Sequence, residues 1–168
     1  MQLNHDTTNF ESKTFPITIV CENVSNAPNI GSLFRISDAF GVAELIFCGS
    51  HIPLGRKMMK TSRATEKVVP YKVCENAAEV IADLKAKNYY IVALEITKES
   101  TAIDHFKFPT NQPIALIIGD ENFGVSEHNL KASDASVHIT MYGQNSSMNV
   151  VQATNIALYE ITKQLREK

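Results

Sequence analysis

Three polar segments of this chain each follow or precede an apolar run, and their side chains are of types that bind ligands. The first contains Asn29 and Arg35, the second contains Glu121, and the third contains Ser147 and Asn149. Amide, carboxylate and hydroxyl groups hydrogen-bond ribose, base edges and peptide groups. If the apolar runs are parallel strands, the three segments meet beyond the carboxyl ends of one sheet, where ligands bind in such folds.

Each segment also has a plain structural explanation. Asn29 follows a proline at the start of a predicted helix and can cap it, and Arg35 can pair with Asp38 at i,i+3 on the helix surface. Ser147 can cap the C-terminal helix, which we predict to begin there. Gly119 can open an ordinary strand-to-helix turn. This turn has the spacing of neither a dinucleotide fingerprint nor a P-loop, so phosphate cradling is not indicated. Capping and ligand binding do not exclude one another.

A basic segment lies between the first and second polar segments. Its cations are Arg56, Lys57, Lys60, Arg63 and Lys67. Such a segment could contact RNA phosphates, and the hydroxyls of Thr61 and Ser62 add donors. A solvated surface face is the alternative.

Composition limits the class of protein. With 168 residues, 44% hydrophobic and 20% charged, the chain fits one soluble domain. The net charge of −2 excludes a generic polyanion binder, so any nucleic-acid contact needs a local basic patch. We predict a loose arm over residues 1–14 and a single domain over 15–168. No apolar run is long enough to span a membrane, and residues 1–12 lack the apolar stretch of a signal peptide, which indicates a cytoplasmic protein.

Cysteine and histidine usage predicts no metal site. Cys21, Cys48 and Cys74 have no metal-ligand spacing and lie in or beside apolar segments, so we expect buried thiols in a reducing compartment. The five histidines are scattered and form no HExxH or Cys/His pattern.

Apolar runs and helical spacings alternate along the chain, which predicts an α/β fold with a mostly parallel sheet flanked by helices. Predicted strands are 17–21, 45–48, 67–69, 89–94, 114–118 and 137–139. Predicted helices begin near Asn29, Asn76, Ser126 and Ser147, with Gly41 at the C-terminus of the first.

Taken together, the three polar segments resemble the three motifs of the SpoU/TrmH family of SPOUT methyltransferases. The matching residues are Asn29-Ile30-Gly31 with Arg35, then Gly119-Asp120-Glu121-Asn122-Phe123-Gly124, then Ile139-Thr140-Met141 followed by Ser147-Met148-Asn149-Val150. Their order and approximate spacings fit the family, and the match covers nearly the whole chain from about Ile17.

The resemblance implies a C-terminal deep trefoil knot, S-adenosylmethionine as the methyl donor, an active homodimer, and 2′-O-methylation of ribose in tRNA or rRNA. It places the cofactor against Leu94, Gly119, Ile139, Ser147 and Met148. It assigns the polar active-site set to Asn29, Arg35, Glu121, Ser147 and Asn149. RNA would approach along Arg56, Lys57, Lys60 and Arg63.

The chain departs from the family pattern at four positions. Thr140 stands where the family usually has proline, Met148 where leucine is common, Val151 where a small polar residue is frequent, and Asn122 where glycine is frequent. These changes spare the polar groups. Two other readings stay open: a non-catalytic knotted RNA-binding or assembly protein, and an unrelated α/β nucleotide-binding enzyme.

Overall fold

The structure, a computed structural model, describes residues 8 and 10–166. These residues fold into a parallel β-sheet with helices on both faces. Its strands are β1 (Phe15–Glu22), β2 (Val42–Cys48), β3 (Tyr71–Cys74), β4 (Tyr90–Leu94), β5 (Thr101–Ala102), β6 (Ile114–Gly119) and β7 (Ala135–His138). Its helices are α1 (Ala27–Ala39), α2 (Arg56–Ser62), α3 (Ala77–Ala86), α4 (Glu127–Ala132) and α5 (Val150–Arg166). The strand order is β3-β2-β1-β6-β4-β7-β5, and every neighbouring pair is parallel. The predicted α/β class is therefore confirmed.

The central strands are apolar on both faces because each face packs against helices. Along β6, Ile114, Leu116 and Ile118 join the core beneath α1 and α5. Ala115 and Ile117 face the opposite way, into the core beneath α3 and α4. This period of two explains why β6 reads as a continuous apolar run.

Most predicted helix boundaries agree with the structure. The Asn76 side chain caps α3 by accepting from Ala78 N at 2.9 Å, and Ser126 caps α4 through Asn129 N at 3.4 Å. Gly41 follows α1 with a φ of 62°, as expected for a glycine that ends a helix.

The predicted cap of α1 is wrong. Asn26, three residues earlier, is the N-cap, because its side-chain oxygen accepts from Asn29 N at 3.1 Å. Asn29 therefore lies inside the first turn, and its own amide group is free for other partners. The C-terminal helix also begins later than expected, at Val150 rather than at Ser147.

The strand predicted at 67–69 is wrong as well. Val68 N and Val69 N both donate to Thr65 O, at 3.0 and 2.9 Å, so this backbone closes a 3-10 turn over Thr65–Lys67. The strand, β3, begins only after Pro70. The two-residue β5 was not predicted, since two residues carry no readable period, and β7 ends at His138, before Ile139.

The three cysteines are free thiols. Cys21 and Cys48 are buried as predicted, whereas Cys74 is only half-buried. Burial raises the pKa of the Cys21 thiol, and burial followed by the neighbouring Cys74 raises the pKa of Cys48 to about 12. Both buried thiols therefore stay protonated at neutral pH.

Two expectations concern the ends and the threading of the chain. Residues 1–7 and 9 of the predicted arm lie outside the described residues, and β1 begins at Phe15. The domain boundary and the trefoil knot stay predictions. Within the described residues, none of the helices is both long and apolar enough to cross a membrane.

Candidate active site

A cavity of about 350 Å³ opens beyond the carboxyl ends of β4, β6 and β7. All five residues that the resemblance assigned to the cofactor line it: Leu94, Gly119, Ile139, Ser147 and Met148. These residues come from four separate stretches of sequence, and the parallel sheet brings them to one edge. Their role as cofactor contacts stays a prediction.

The loop 120–124, which follows β6, forms one wall and is tightly folded. The Asp120 carboxylate accepts from Asn122 N at 2.8 Å and from Phe123 N at 3.2 Å, and Gly124 N donates to Asp120 O at 2.8 Å. A Cβ at Gly119 would lie 2.2 Å from Gly124 O and 2.3 Å from Val125 N. Only glycine fits beneath this turn.

Glu95 supports the same loop from β4, a contact that the sequence reading missed. Its Oε2 accepts from Val125 N at 3.0 Å, and its Oε1 accepts from Ile96 N at 2.9 Å. Gly124 has a φ of 65°, and a Cβ there would lie 2.2 Å from Glu95 Oε2. A sequence signal existed, since Glu95 directly follows a predicted strand at the ligand-binding edge.

Asn29, Glu121 and Asn149 form a closed hydrogen-bonded triangle at the rim of the cavity, which we call the polar cluster. Asn29 Nδ2 donates to Glu121 Oε1 at 2.9 Å. Asn149 Nδ2 donates to the same oxygen at 2.7 Å and to Asn29 Oδ1 at 3.2 Å. The three polar segments of the sequence thus meet, as predicted, through side chains 28 to 120 residues apart.

Asn149 has a second contact that fixes the cluster to a helix. Its Oδ1 accepts from Val151 N at 2.9 Å and from Gln152 N at 3.4 Å, which makes Asn149 the N-terminal cap of α5. Asn149 thus caps a helix and belongs to the polar cluster at once, and its role toward a ligand stays a prediction. Ser147, the other candidate cap, is exposed and lines the cavity instead.

The loop 139–149 forms the opposite wall and is open. No backbone N–H of residues 140–148 donates a hydrogen bond to any other described residue. Backbone groups left unpaired within a protein bind water or a ligand. This loop therefore has backbone donors left for water or a ligand, and four of the residues that carry them line the cavity: Met141, Ser146, Ser147 and Met148.

His138 lines the cavity and contacts Ser100. Ser100 Oγ lies 2.9 Å from both Thr97 O and His138 Nδ1, which ties the imidazole to the turn that follows β4. Spacing in the sequence did not single this histidine out among five.

Arg35 lies elsewhere. It is exposed on α1 and is not among the residues that line the cavity of its own chain. No ion pair joins it to Asp38 within the described part of the chain, so the surface-pair explanation is wrong. Its guanidinium is open to an external partner.

The basic segment forms α2, the residue after it and the 3-10 turn that ends at Lys67. Arg56, Lys57, Lys60 and Arg63 are all exposed. The helix packs closely on α1, since a Cβ at Gly31 would lie 2.2 Å from Met58 O. The two neighbouring hydroxyls are not free donors, contrary to expectation. Thr61 Oγ1 donates to Pro28 O at 2.9 Å, and buried Ser62 donates to Met59 O.

Comparison with known proteins decides the family. The model of the SpoU rRNA Methylase family matches residues 16–159. This chain belongs to the SpoU family. The match contains all three polar segments, the basic helix and most of α5.

Named SpoU relatives are enzymes of RNA ribose methylation. The chain is 28% identical, over 94% of its length and 74% of the relative's, to a tRNA (guanosine(18)-2′-O)-methyltransferase of Aquifex aeolicus. It is 25% identical, over 89% of its length, to a 23S rRNA (guanosine-2′-O-)-methyltransferase of Ralstonia nicotianae. It spans only 59% of the Ralstonia protein and 63% of an Escherichia coli tRNA relative.

Solved SpoU structures share the fold. The A. aeolicus TrmH/SpoU tRNA modifying enzyme aligns with a TM-score of 0.83 at 28% identity, covering 94% of this chain and 79% of that one. AviRb from Streptomyces viridochromogenes, solved in complex with AdoMet, aligns with a TM-score of 0.80 at 25% identity, covering 96% and 61%.

Three of the four departures from the SpoU pattern fall in the two loops that form the cavity walls, and the fourth, Val151, lies in α5. Thr140 is exposed at the start of loop 139–149, Met148 is half-buried and lines the cavity, and Val151 packs against the core in the first turn of α5. Asn122 is exposed and uses only its backbone N–H, in the Asp120 turn. None of the four replaces a member of the polar cluster.

Proposed function

We propose that this SpoU protein transfers a methyl group from S-adenosylmethionine to a ribose 2′-hydroxyl of RNA, with tRNA as the substrate of first choice. The observation that carries the proposal is the polar cluster of Asn29, Glu121 and Asn149 at the rim of a cavity suited to a small molecule. The names of the Aquifex and Escherichia coli relatives favour tRNA, and that of the Ralstonia relative leaves rRNA as the second candidate.

The cavity fits the proposed cofactor in size and chemistry. Its volume lies within the range of small-molecule sites, roughly 300–1,000 Å³. Leu94, Ile139 and Met148 supply apolar walls for a nucleoside, while the carboxylates of Glu95 and Glu121 suit a positive charge. When bound, S-adenosylmethionine supplies a methyl group on a positively charged sulfur. Gly119 and Ser147 are the other two residues that we propose to contact the cofactor.

The polar cluster has the geometry of a positioning device. Glu121 Oε1 is held by two amides, whereas no described residue donates to Oε2. The free oxygen can accept the ribose hydroxyl and fix its direction of approach. Holding two reactants in line supplies a large part of the acceleration of such a transfer.

Arg35 acts in this scheme as a cation rather than as a base. A guanidinium stays protonated in proteins. Exposed and without an ion-pair partner among the described residues, Arg35 can grip an RNA phosphate and stabilise the negative charge that develops on the ribose oxygen. A phosphate oxygen or water then takes the proton. The exposed cations of α2 hold the flanking phosphates.

A homodimer would bring together Arg35 and a cavity, which lie apart within one chain. Arg35 does not line the cavity of its own chain, and α5 exposes Ile156 and Tyr159, which are 40% and 58% accessible. A second copy can cover this apolar face of α5. We place the dimer in the cytoplasm, where its free thiols would stay reduced, and we assign residues 15–168 to one methyltransferase domain. Sedimentation velocity tests the dimer, and a monomer at micromolar concentration would contradict it.

The direct test is methyl transfer from labelled S-adenosylmethionine to unfractionated tRNA and rRNA, followed by mapping of ribose methylation. A 2′-O-methylated nucleotide supports the proposal. Label in a base, or no label in either RNA, would contradict it.

A further inference from the structure

Two aromatic rings beside the cavity are almost fully exposed. Phe123 is 89% accessible and Tyr142 is 95% accessible. Among the described residues, Phe10, at 90%, is the other large apolar side chain of comparable exposure, and it lies in the N-terminal segment. Phe123 lines the cavity from loop 120–124, and Tyr142 sits in loop 139–149, next to the lining residue Met141. Both walls therefore present a ring to the outside.

The backbone beneath Phe123 is rigid. Phe123 N donates to the Asp120 carboxylate, and the following glycine closes the turn against Asp120 O. The backbone that carries the ring is thus held in a hydrogen-bonded turn, so little backbone freedom is lost on binding. Tyr142, by contrast, stands on a loop without internal backbone hydrogen bonds and can adjust to a partner.

The surroundings of the rings indicate a single-stranded nucleic acid as the partner. Glu121 of the polar cluster lies two residues before Phe123, and Asn29 of the same cluster lies in the first turn of the helix on which α2 packs. Exposed cations and exposed rings therefore flank the polar cluster on two sides. Single-stranded nucleic acids are bound by this combination, with phosphates on cations and bases stacked on aromatic rings.

We propose that Phe123 and Tyr142 stack on unpaired bases next to the ribose that is methylated. The inference rests on the proposed function, and it adds the positioning residues that select an exposed, unpaired nucleotide. A second copy of this chain is the other conceivable cover for the rings. The position of both rings favours RNA, because they stand on loops at the cavity mouth and not on the apolar face of α5 that we assign to the second copy.

The test compares aromatic with aliphatic replacements. Phe123→Leu and Tyr142→Leu keep apolar bulk but remove the π face, while Phe123→Tyr and Tyr142→Phe keep it. Phe10→Leu is the matched control at equal exposure. For each variant, affinity for a tRNA transcript is measured by filter binding, affinity for S-adenosylmethionine by calorimetry, and the oligomeric state by sedimentation.

The expected result is an RNA affinity lowered about fivefold to 100-fold by each leucine, with wild-type RNA affinity in the aromatic variants and in Phe10→Leu. Cofactor affinity should be unchanged in Tyr142→Leu, whose ring does not line the cavity. Wild-type RNA affinity in both leucine variants would overturn the inference. So would a change in oligomeric state without a change in RNA affinity. If the wild-type protein binds RNA but methylates none, the proposed function fails while the leucine comparison still decides the stacking.

Discussion

The two loops that form the cavity walls differ in whether their backbone N–H groups are hydrogen-bonded. In loop 120–124, the carboxylates of Asp120 and Glu95 hold three backbone N–H groups, and Gly119 lies directly beneath. In loop 139–149, the N–H groups of residues 140–148 have no donor contact with another described residue, and only Asn149 at its end is fixed. The first wall thus has its backbone hydrogen bonds in place before a ligand binds, whereas the second has backbone donors left for a ligand or water.

This difference assigns different tasks to the walls. The fixed loop carries Glu121 and must keep its carboxylate in place for a reacting group, which demands rigidity. The open loop supplies donors that a cofactor can use, and binding can order it. Substitutions that displace the backbone should therefore damage the chemistry more in the first loop than in the second.

The largest effect is expected from Gly119→Ala. The new Cβ would lie 2.0–2.3 Å from the backbone of Gly124 and Val125, so the loop must move. A displacement of about 1 Å at a catalytic group costs roughly 100-fold in rate, and we expect at least that loss in kcat/KM for RNA methylation. Gly143→Ala in the open loop is the control, because its Cβ would meet nothing within 4 Å. Equal activity of the two variants would remove the distinction between the loops.

The fold was largely readable from the sequence because both faces of the sheet are covered, which makes β1, β2, β4 and β6 continuous apolar runs. The failures were local. Val68 and Val69 have strand propensity, yet their N–H groups close a turn on Thr65. Asn26 rather than Asn29 caps α1, and both asparagines fit the cap pattern equally well in sequence.

The site residues could be predicted from the sequence only within the three matched motifs. Asn29, Glu121 and Asn149 were grouped correctly, but their closed triangle depends on side-chain directions that spacing does not give. Glu95 and His138 belong to no matched motif, so their contacts with Val125 N and Ser100 emerged only from the structure. The knot stays a prediction from the resemblance, because a knot depends on the order in which a chain is threaded and hydrophobic periodicity carries no such information.

Arg35→Lys tests whether a group outside both loops takes part in the chemistry. A lysine keeps the charge but loses the forked guanidinium, so we expect kcat/KM for RNA to fall roughly 10-fold to 100-fold, the equivalent of one strong charge-assisted contact. Affinity for S-adenosylmethionine should stay at the wild-type value in calorimetry. Near-normal turnover would eliminate a specific guanidinium role and leave the catalytic groups within the loops.

Asn149→Ala tests the fixed end of the open loop. It removes the cap of α5 and both amide contacts to the polar cluster. We expect a loss of about 1 kcal/mol in the free energy of unfolding, measured in urea, and roughly a 10-fold loss of kcat as Glu121 loses one of its donors. Asn145→Ala, exposed in the same loop and without a hydrogen bond to another described residue, should change neither quantity. A similar loss in both would show that the whole open loop is structural.

The smallest effect on turnover is expected from the surface cations, because they lie on α2, outside both walls. Neutralising Arg56, Lys57 and Lys60 to Gln should weaken tRNA binding and lower the slope of log Kd against log salt by about two, since each single-strand phosphate contact contributes about 0.7. At saturating RNA, kcat should change little. Lys85, Lys87 and Lys131, on the opposite face of the sheet, form the matched control triple. Unchanged RNA affinity in the first triple would contradict this assignment.

The central claim is that the rigid loop, through Glu121, positions a ribose hydroxyl for methylation. It is tested most directly by single-turnover methylation of tRNA by the wild-type protein and by Glu121→Gln, both saturated with S-adenosylmethionine and with RNA. Replacing an acceptor oxygen by an amide donor at the polar cluster should slow 2′-O-methylation by roughly 100-fold, with RNA affinity unchanged. Wild-type single-turnover rates in Glu121→Gln, or an absence of ribose methylation by the wild-type protein, would contradict the account.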